Sequence, residues 1–172
     1  MCLAHRFCTT NKRQGIKMKI TSLCYIENNN KYLLLNRNKK ENDENKGKYI
    51  GIGGKFKEGE SPFDCVKREV FEETGLKIES PIYKGIVTFV SDQYGTEYMH
   101  LFKAEKYSGE MRNCNEGDLC WVEKENLFNY PMWEGDKIFL ELMEQNRPFF
   151  SLKLVYEGEK LVSYFIDGEK VK

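Results

Sequence analysis

What this chain of 172 residues lacks narrows its chemistry first. It has no charge surplus: lysine plus arginine and aspartate plus glutamate each number 27. Nothing in the composition therefore calls for a nucleic-acid polymer held by its phosphates, while a single nucleotide is easy to accommodate. The six cysteines (Cys2, Cys8, Cys24, Cys65, Cys114 and Cys120) form no CxxC pair and no zinc spacing. No apolar run approaches the roughly 20 residues of a membrane span, so no membrane partner is expected. Nor is there a recognisable secretion signal, and reduced thiols in a cytoplasm are the expectation. Internal repeats, low-complexity linkers and a βαβ rhythm are also missing. One domain of the α+β class fits that pattern, and monomer or homodimer is left open. Residues 1–17, MCLAHRFCTTNKRQGIK, show little periodicity. They are expected to be a loosely held extension, or an upstream start before Met18, in front of a domain covering residues 18–172.

What is present is a set of strands around one well-specified helix. Apolar and polar residues alternate on both sides of residues 27–31 and of residues 92–96, which predicts two hairpins. The polar, glycine-punctuated run KKENDENKGK leads to a short strand expected at residues 49–52. Another strand is expected at residues 119–122, and a closing hairpin turns around residues 157–159. A second helix is expected at about residues 136–144, with Ile138, Phe139, Leu142 and Met143 on one side. The first helix is marked at both ends. Ser61 can cap it, Pro62 suits its first position, Asp64 can answer the cap, and Gly75 suits a left-handed stop. Phe63, Val66 and Val70 gather on one side of it.

That helix carries the chemistry. Glu69, Glu72 and Glu73 share one face, and like charges so spaced cost a few tenths of a kcal/mol per pair, roughly, when exposed. A solvated acidic face is one reading. The other is a ligand set: Arg68 can grip a carboxylate by two parallel bonds, Gly53-Gly54 lets backbone come close, and Glu60 adds an acid from the loop. Oxygen ligands gathered this way suit Mg²⁺ or Mn²⁺ bound to phosphate oxygens.

The stretch GKFKEGESPFDCVKREVFEETGL, residues 54–76, resembles the Nudix box, G-x5-E-x7-R-E-U-x-E-E-x-G-U with U aliphatic. The match falls on Gly54, Glu60, Arg68, Glu69, Val70, Glu72, Glu73, Gly75 and Leu76. The resemblance implies an α/β/α sandwich with a mixed sheet, and a pyrophosphohydrolase acting on a nucleoside diphosphate linked to another group. Its implied cofactor is Mg²⁺, with Mn²⁺ as a substitute. From about Lys19 onward, GKYIGIGGKFKEGE, EGDLCWV, YPMWEGDKIF and FSLKLVYEGEKLVSYFI are similar to Nudix enzymes that sanitise the nucleotide pool by hydrolysing 8-oxo-dGTP. That likeness implies Gly54 (through its carbonyl), Glu69, Glu72, Glu73 and Glu116 as metal ligands, and Arg68, Glu69, Glu72 and Glu73 as the catalytic group. Glu72 or Glu73 would deprotonate the water, with Glu116 the alternative base. Trp133 and Asp136 would read the base and Phe89 would wall it, whereas Arg37 faces a phosphate or lies at the surface. Each has a plain structural alternative: Trp133 a core or rim aromatic, Asp136 a helix N-cap, Phe89 core, Glu116 a loop acid. Two positions depart from animal-type relatives, Ile50 where an asparagine reads the base and Gly135 where the first of two adjacent aspartates stands. The expected substrate is a nucleoside triphosphate, 8-oxo-dGTP foremost, cleaved to monophosphate and pyrophosphate. ADP-ribose, a dinucleoside polyphosphate, an RNA 5′ end, or binding without hydrolysis are the other readings.

Overall fold

Residues 21–26 are buried without a break, which only a strand covered on both faces permits. The computed structural model describes residues 18–172, and the expected N-terminal extension, residues 1–17, lies outside the described residues. Strand β1 (Met18–Asn28) turns into β2 (Lys31–Asn36) through Asn29 and Asn30, with φ of 47° and 61°. Two left-handed residues make the tight turn whose twist matches a hairpin. Strands β3 (Tyr49–Ile50) and β4 (Ile52–Lys55) follow, then helix α1 (Pro62–Thr74) and β5 (Lys77–Glu79). The second hairpin is β6 (Ile82–Ser91) and β7 (Gly95–Ala104), followed by β8 (Lys106–Ser108) and β9 (Asp118–Glu123). A 3₁₀ turn (Lys124–Asn129), helix α2 (Glu134–Glu144), β10 (Phe150–Glu157), β11 (Lys160–Ile166) and β12 (Glu169–Lys170) complete the order.

The main sheet runs β12-β11-β10-β6-β7-β1-β2-β3, with β4 on β1 and β9 on β2, and β5 pairs with β8 apart from it. Strands β1 with β7 and β10 with β6 are parallel and the rest antiparallel, so the sheet is mixed. Alternate side chains sort to two cores. Cys24, Ile26, Leu33 and Leu35 meet Val66 and Val70 of α1. Leu23, Tyr25, Tyr32 and Leu34 meet Phe139, Leu142 and Met143 of α2. Helices on opposite faces give the α/β/α sandwich.

Three local expectations change. The strand expected at residues 49–52 is two pieces broken at Gly51, because β3 pairs with β2 whereas β4 pairs with β1. Helix α2 starts at Glu134 with Trp133 at its N-cap, so Asp136 is its third residue rather than its cap. Phe63 is 42 % exposed, since its ring only leans edge-on against Phe102 at 5.2 Å. Helix α1 itself is built as its sequence reads: Ser61 and Asp64 form a reciprocal capping box and Gly75 ends it at φ 79°.

Candidate active site

The acids of α1 are not equivalent. Glu72 is half exposed and bonded to Lys57 Nζ at 3.0 Å and Arg68 Nη1 at 3.1 Å. Those cations hold its carboxyl below the usual carboxylate range. Glu73 turns inward, 8 % exposed, and accepts a bond from the Gly53 N–H at 3.2 Å. Burial pushes it up to about 8, and the like charge of Glu116 adds to the rise. Arg68 is the hub. Its guanidinium clasps both oxygens of Glu60, and it also donates to Glu69 at 2.6 Å and to the Lys55 carbonyl at 2.9 Å. The two-pronged grip and the Lys57 N–H hold Glu60 well below the ordinary carboxylate range. A Cβ at position 54 would sit 2.5 Å from Glu69 Oε2, so a larger residue there would push the Glu69 carboxylate aside.

Glu116 arrives from the segment before β9, paired with Arg37 and Lys40, and those cations lower its pKa against the opposing pull of desolvation. Arg37 also donates through Nε to Asp43 at 2.7 Å. It therefore lies between a loop acid and a candidate ligand rather than open at the surface. Glu69, Glu73 and Glu116 border two adjoining cavities, of about 380 Å³ and about 450 Å³. Gly54 lines the first and Glu72 the second. Among the described residues no three His, Cys, Asp or Glu side chains converge as a closed metal site. The donor chemistry nonetheless fits a hard divalent cation. The lining is oxygen-rich, Glu73 is a carboxyl that burial disfavours as an anion, and Gly54 brings backbone to the same cavity.

The 380 Å³ cavity extends from these acids to Trp133, Asp136 and Phe89, a volume suited to a small ligand. Trp133 is 7 % exposed, set edge-on to Phe89 at 5.8 Å and Tyr156 at 5.4 Å. Lys48 Nζ lies over its ring at 4.1 Å, and its Nε1 donates to Asn45 Oδ1 at 2.8 Å. Asp136 is buried, and its carboxyl has no hydrogen-bond partner among the described residues. Desolvation pushes it up to about 8 against the attraction of Lys48. At position 135 a Cβ would overlap the end of Leu154 and stand 2.9 Å from the Tyr156 hydroxyl. No second acid fits there.

Lys19, Asn45, Tyr94 and Glu97 also line this cavity, and sequence reasoning passed over all four. Glu97 had a signal. It lies two and four residues before Met99 and Leu101, which pack toward α2, so β alternation aims an acid inward. Thr21 Oγ1 bonds it at 2.7 Å while burial raises its pKa. Asn45 and Lys48 had none, because the fold of a polar loop is set by partners far along the chain.

A family model for the NUDIX domain matches residues 17–143. The chain belongs to the Nudix family. It is similar to a protein of Bacillus subtilis (strain 168) named uncharacterized Nudix hydrolase YvcI, 33% identical over 155 residues that make up 87% of this chain and 94% of that one. An oxidized purine nucleoside triphosphate hydrolase of Danio rerio is 30% identical over 124 residues, 70% of this chain and 78% of its own. Among solved structures, a MutT protein from Bacillus halodurans superposes with a TM-score of 0.78 at 30% identity, covering 88% of this chain and 99% of that one. The Nudix fold and hydrolase class thus account for the mixed sheet, the box helix and the acid-lined cavity. Among the described residues no helix of this Nudix hydrolase is long and apolar enough to cross a membrane.

Proposed function

We propose that this Nudix hydrolase is a Mg²⁺-dependent diphosphatase of purine nucleoside triphosphates, with 8-oxo-dGTP its preferred substrate and a nucleoside monophosphate and pyrophosphate its products. The observation that carries this reading is the single cavity with two unlike ends. Glu69, Glu73 and Glu116 stand at one and Trp133, Asp136 and Phe89 at the other. A ligand with phosphates at one end and a flat, hydrogen-bonding ring at the other matches it. The likeness to the Danio rerio hydrolase supports an oxidised purine as that ring.

Gly54, Glu69, Glu72, Glu73 and Glu116 would hold the metal, which when bound neutralises phosphate charge and makes a nearby water more acidic. The rest of the chemistry belongs to the chain. Glu73 is the best-placed base: it is buried beside the Gly53–Gly54 backbone, where the Gly53 N–H orients its carboxyl, and a cation at these acids would favour the ionised form that can take a proton. It accepts a proton as the water oxygen bonds to phosphorus, and the bridging P–O bond breaks with its electron pair leaving on pyrophosphate. Arg37 and Lys40 line the same cavity and are the cations that would meet that leaving charge. Arg68 keeps Glu69 and Glu72 oriented.

The test is pyrophosphate release from 8-oxo-dGTP, dGTP, dATP and phosphate products from ADP-ribose, each with Mg²⁺ and with a chelator. The expected result is the highest kcat/KM on 8-oxo-dGTP and loss of turnover on chelation. Preference for ADP-ribose, or turnover that survives chelation, overturns the reading.

A further inference from the structure

Asn45 sits in the loop between β2 and β3, and three of its four polar groups are committed. Its backbone N–H donates to Asp43 Oδ1 at 2.9 Å, and its carbonyl accepts from the Lys48 N–H at 2.9 Å. Its side-chain oxygen accepts from the Trp133 indole at 2.8 Å. An indole N–H can only donate, so the amide oxygen must face it and the NH₂ group must face elsewhere. That NH₂ has no partner among the described residues, and Asn45 lines the 380 Å³ cavity. The loop is closed at its neck by Arg37 N–H to Lys48 O at 3.0 Å and Gly47 N–H to Arg37 O at 2.7 Å. The donor is thus fixed in place before any ligand arrives.

Asp136 borders the same cavity, one helical turn on from Trp133 and with no protein partner of its own among the described residues. The indole therefore has a fixed donor at its nitrogen and a carboxyl beside it. A 6-oxopurine presents a carbonyl acceptor next to N–H donors, and a 6-aminopurine presents an amino donor next to a ring acceptor. A carboxyl group accepts when ionised and can donate when protonated, so Asp136 by itself does not choose between them. Asn45 does, because its oxygen is locked and only a donor remains.

Resting on the purine-nucleotide reading above, we propose that Asn45 is a specificity-determining residue whose amide NH₂ donates to the 6-oxo group of a guanine-type base and rejects adenine. Asn45→Asp keeps an oxygen for the Trp133 indole and replaces the free donor with an acceptor, and Asn45→Ala removes both. The measurements are kcat/KM on dGTP, 8-oxo-dGTP and dATP with Mg²⁺, and calorimetric binding of dGMP and dAMP without metal. Losing one good hydrogen bond to a buried polar edge is expected to lower the guanine-to-adenine ratio about tenfold or more in Asn45→Asp. The ratio should also fall in Asn45→Ala, with the dGMP-over-dAMP preference falling in step. Using a ratio cancels the added negative charge, which acts on every nucleotide alike. An unchanged ratio in both variants overturns the proposal. If the wild type hydrolyses none of these triphosphates the functional reading fails separately, and a dGMP-over-dAMP preference that both variants abolish would still support the role of Asn45.

Discussion

Asp136→Asn separates what the fold tolerates from what the site uses. Burial pushes Asp136 from its ordinary 3.8 up to about 8, helped by the negative charge of Glu97 and opposed by Lys48. In the unfolded chain it ionises near 3.8, so between those values the folded protein holds a proton that the unfolded one has released. Stability from this group is therefore complete below about pH 4 and is lost as pH rises toward 8. Each pH unit in that window is worth about 1.4 kcal/mol at most, so the span from pH 5 to pH 8 approaches 4 kcal/mol as a ceiling, which water in the cavity reduces. Asparagine keeps the shape and does not titrate. Glu73 and Glu97 are also raised by burial, but they remain in both proteins and cancel in the comparison. Urea unfolding of wild type and Asp136→Asn at pH 5 and pH 8 should show the variant gaining several kcal/mol on the wild type over that interval. Parallel stability profiles would refute the claim that Asp136 is forced to stay protonated. The same variant should lose activity on guanine nucleotides by about 5- to 150-fold in kcat/KM, the cost of one misplaced hydrogen bond, while gaining stability at high pH. A residue kept only as a helix position would not show that opposition.

Glu72→Gln keeps shape while removing an anionic ligand, and turnover at saturating Mg²⁺ should fall about a hundredfold or more with the fold retained, since the contacts to Lys57 and Arg68 that the variant weakens are surface ion pairs worth little to stability. Wild-type turnover in that variant would remove Glu72 from the metal set. Without divalent ions, dGTP should bind no more tightly than dGMP in calorimetry, and Mg²⁺ should reverse the order. Tight metal-free binding of dGTP would show that the chain's own cations suffice.

Local signals carried the sequence reading where the structure is local. Ser61, Asp64 and Gly75 fix the ends of α1 by bonds spanning a few residues, and the structure has all of them. The uninterrupted burial of residues 21–26 likewise follows from a run of side chains with no charged member. What was hidden depends on distant partners. Arg37 meets Glu116 across 79 positions, and Trp133 meets Asn45 across 88. No periodicity encodes such pairs. The break at Gly51 was also beyond pattern, because it arises when β1 gives its first half to β4 and its last residues to β2. The glycine at 135 reads from sequence only as a missing acid. Packed against Leu154 and Tyr156, it is a place where any side chain would collide.

The charges around the cavity explain why an enzyme on this scaffold would depend on added cations. Its lining carries six acids (Glu44, Glu69, Glu73, Glu97, Glu116, Asp136) against four bases (Lys19, Arg37, Lys40, Lys55). Three of those bases are already engaged: Lys19 with Glu44 at 2.7 Å, and Arg37 and Lys40 with Glu116. A triphosphate entering this field meets like charge in a partly desolvated space, where repulsion is screened less than in bulk water. Two features offset it. Glu73 and Asp136, pushed by burial up to about 8, shed much of their charge near neutrality. Were Glu116 to serve as a metal ligand, Arg37 and Lys40, which it now pairs, would be available to the phosphates. On the proposed reading, the acid that would attract the metal and the bases that would receive the substrate are partners in the same ion pairs.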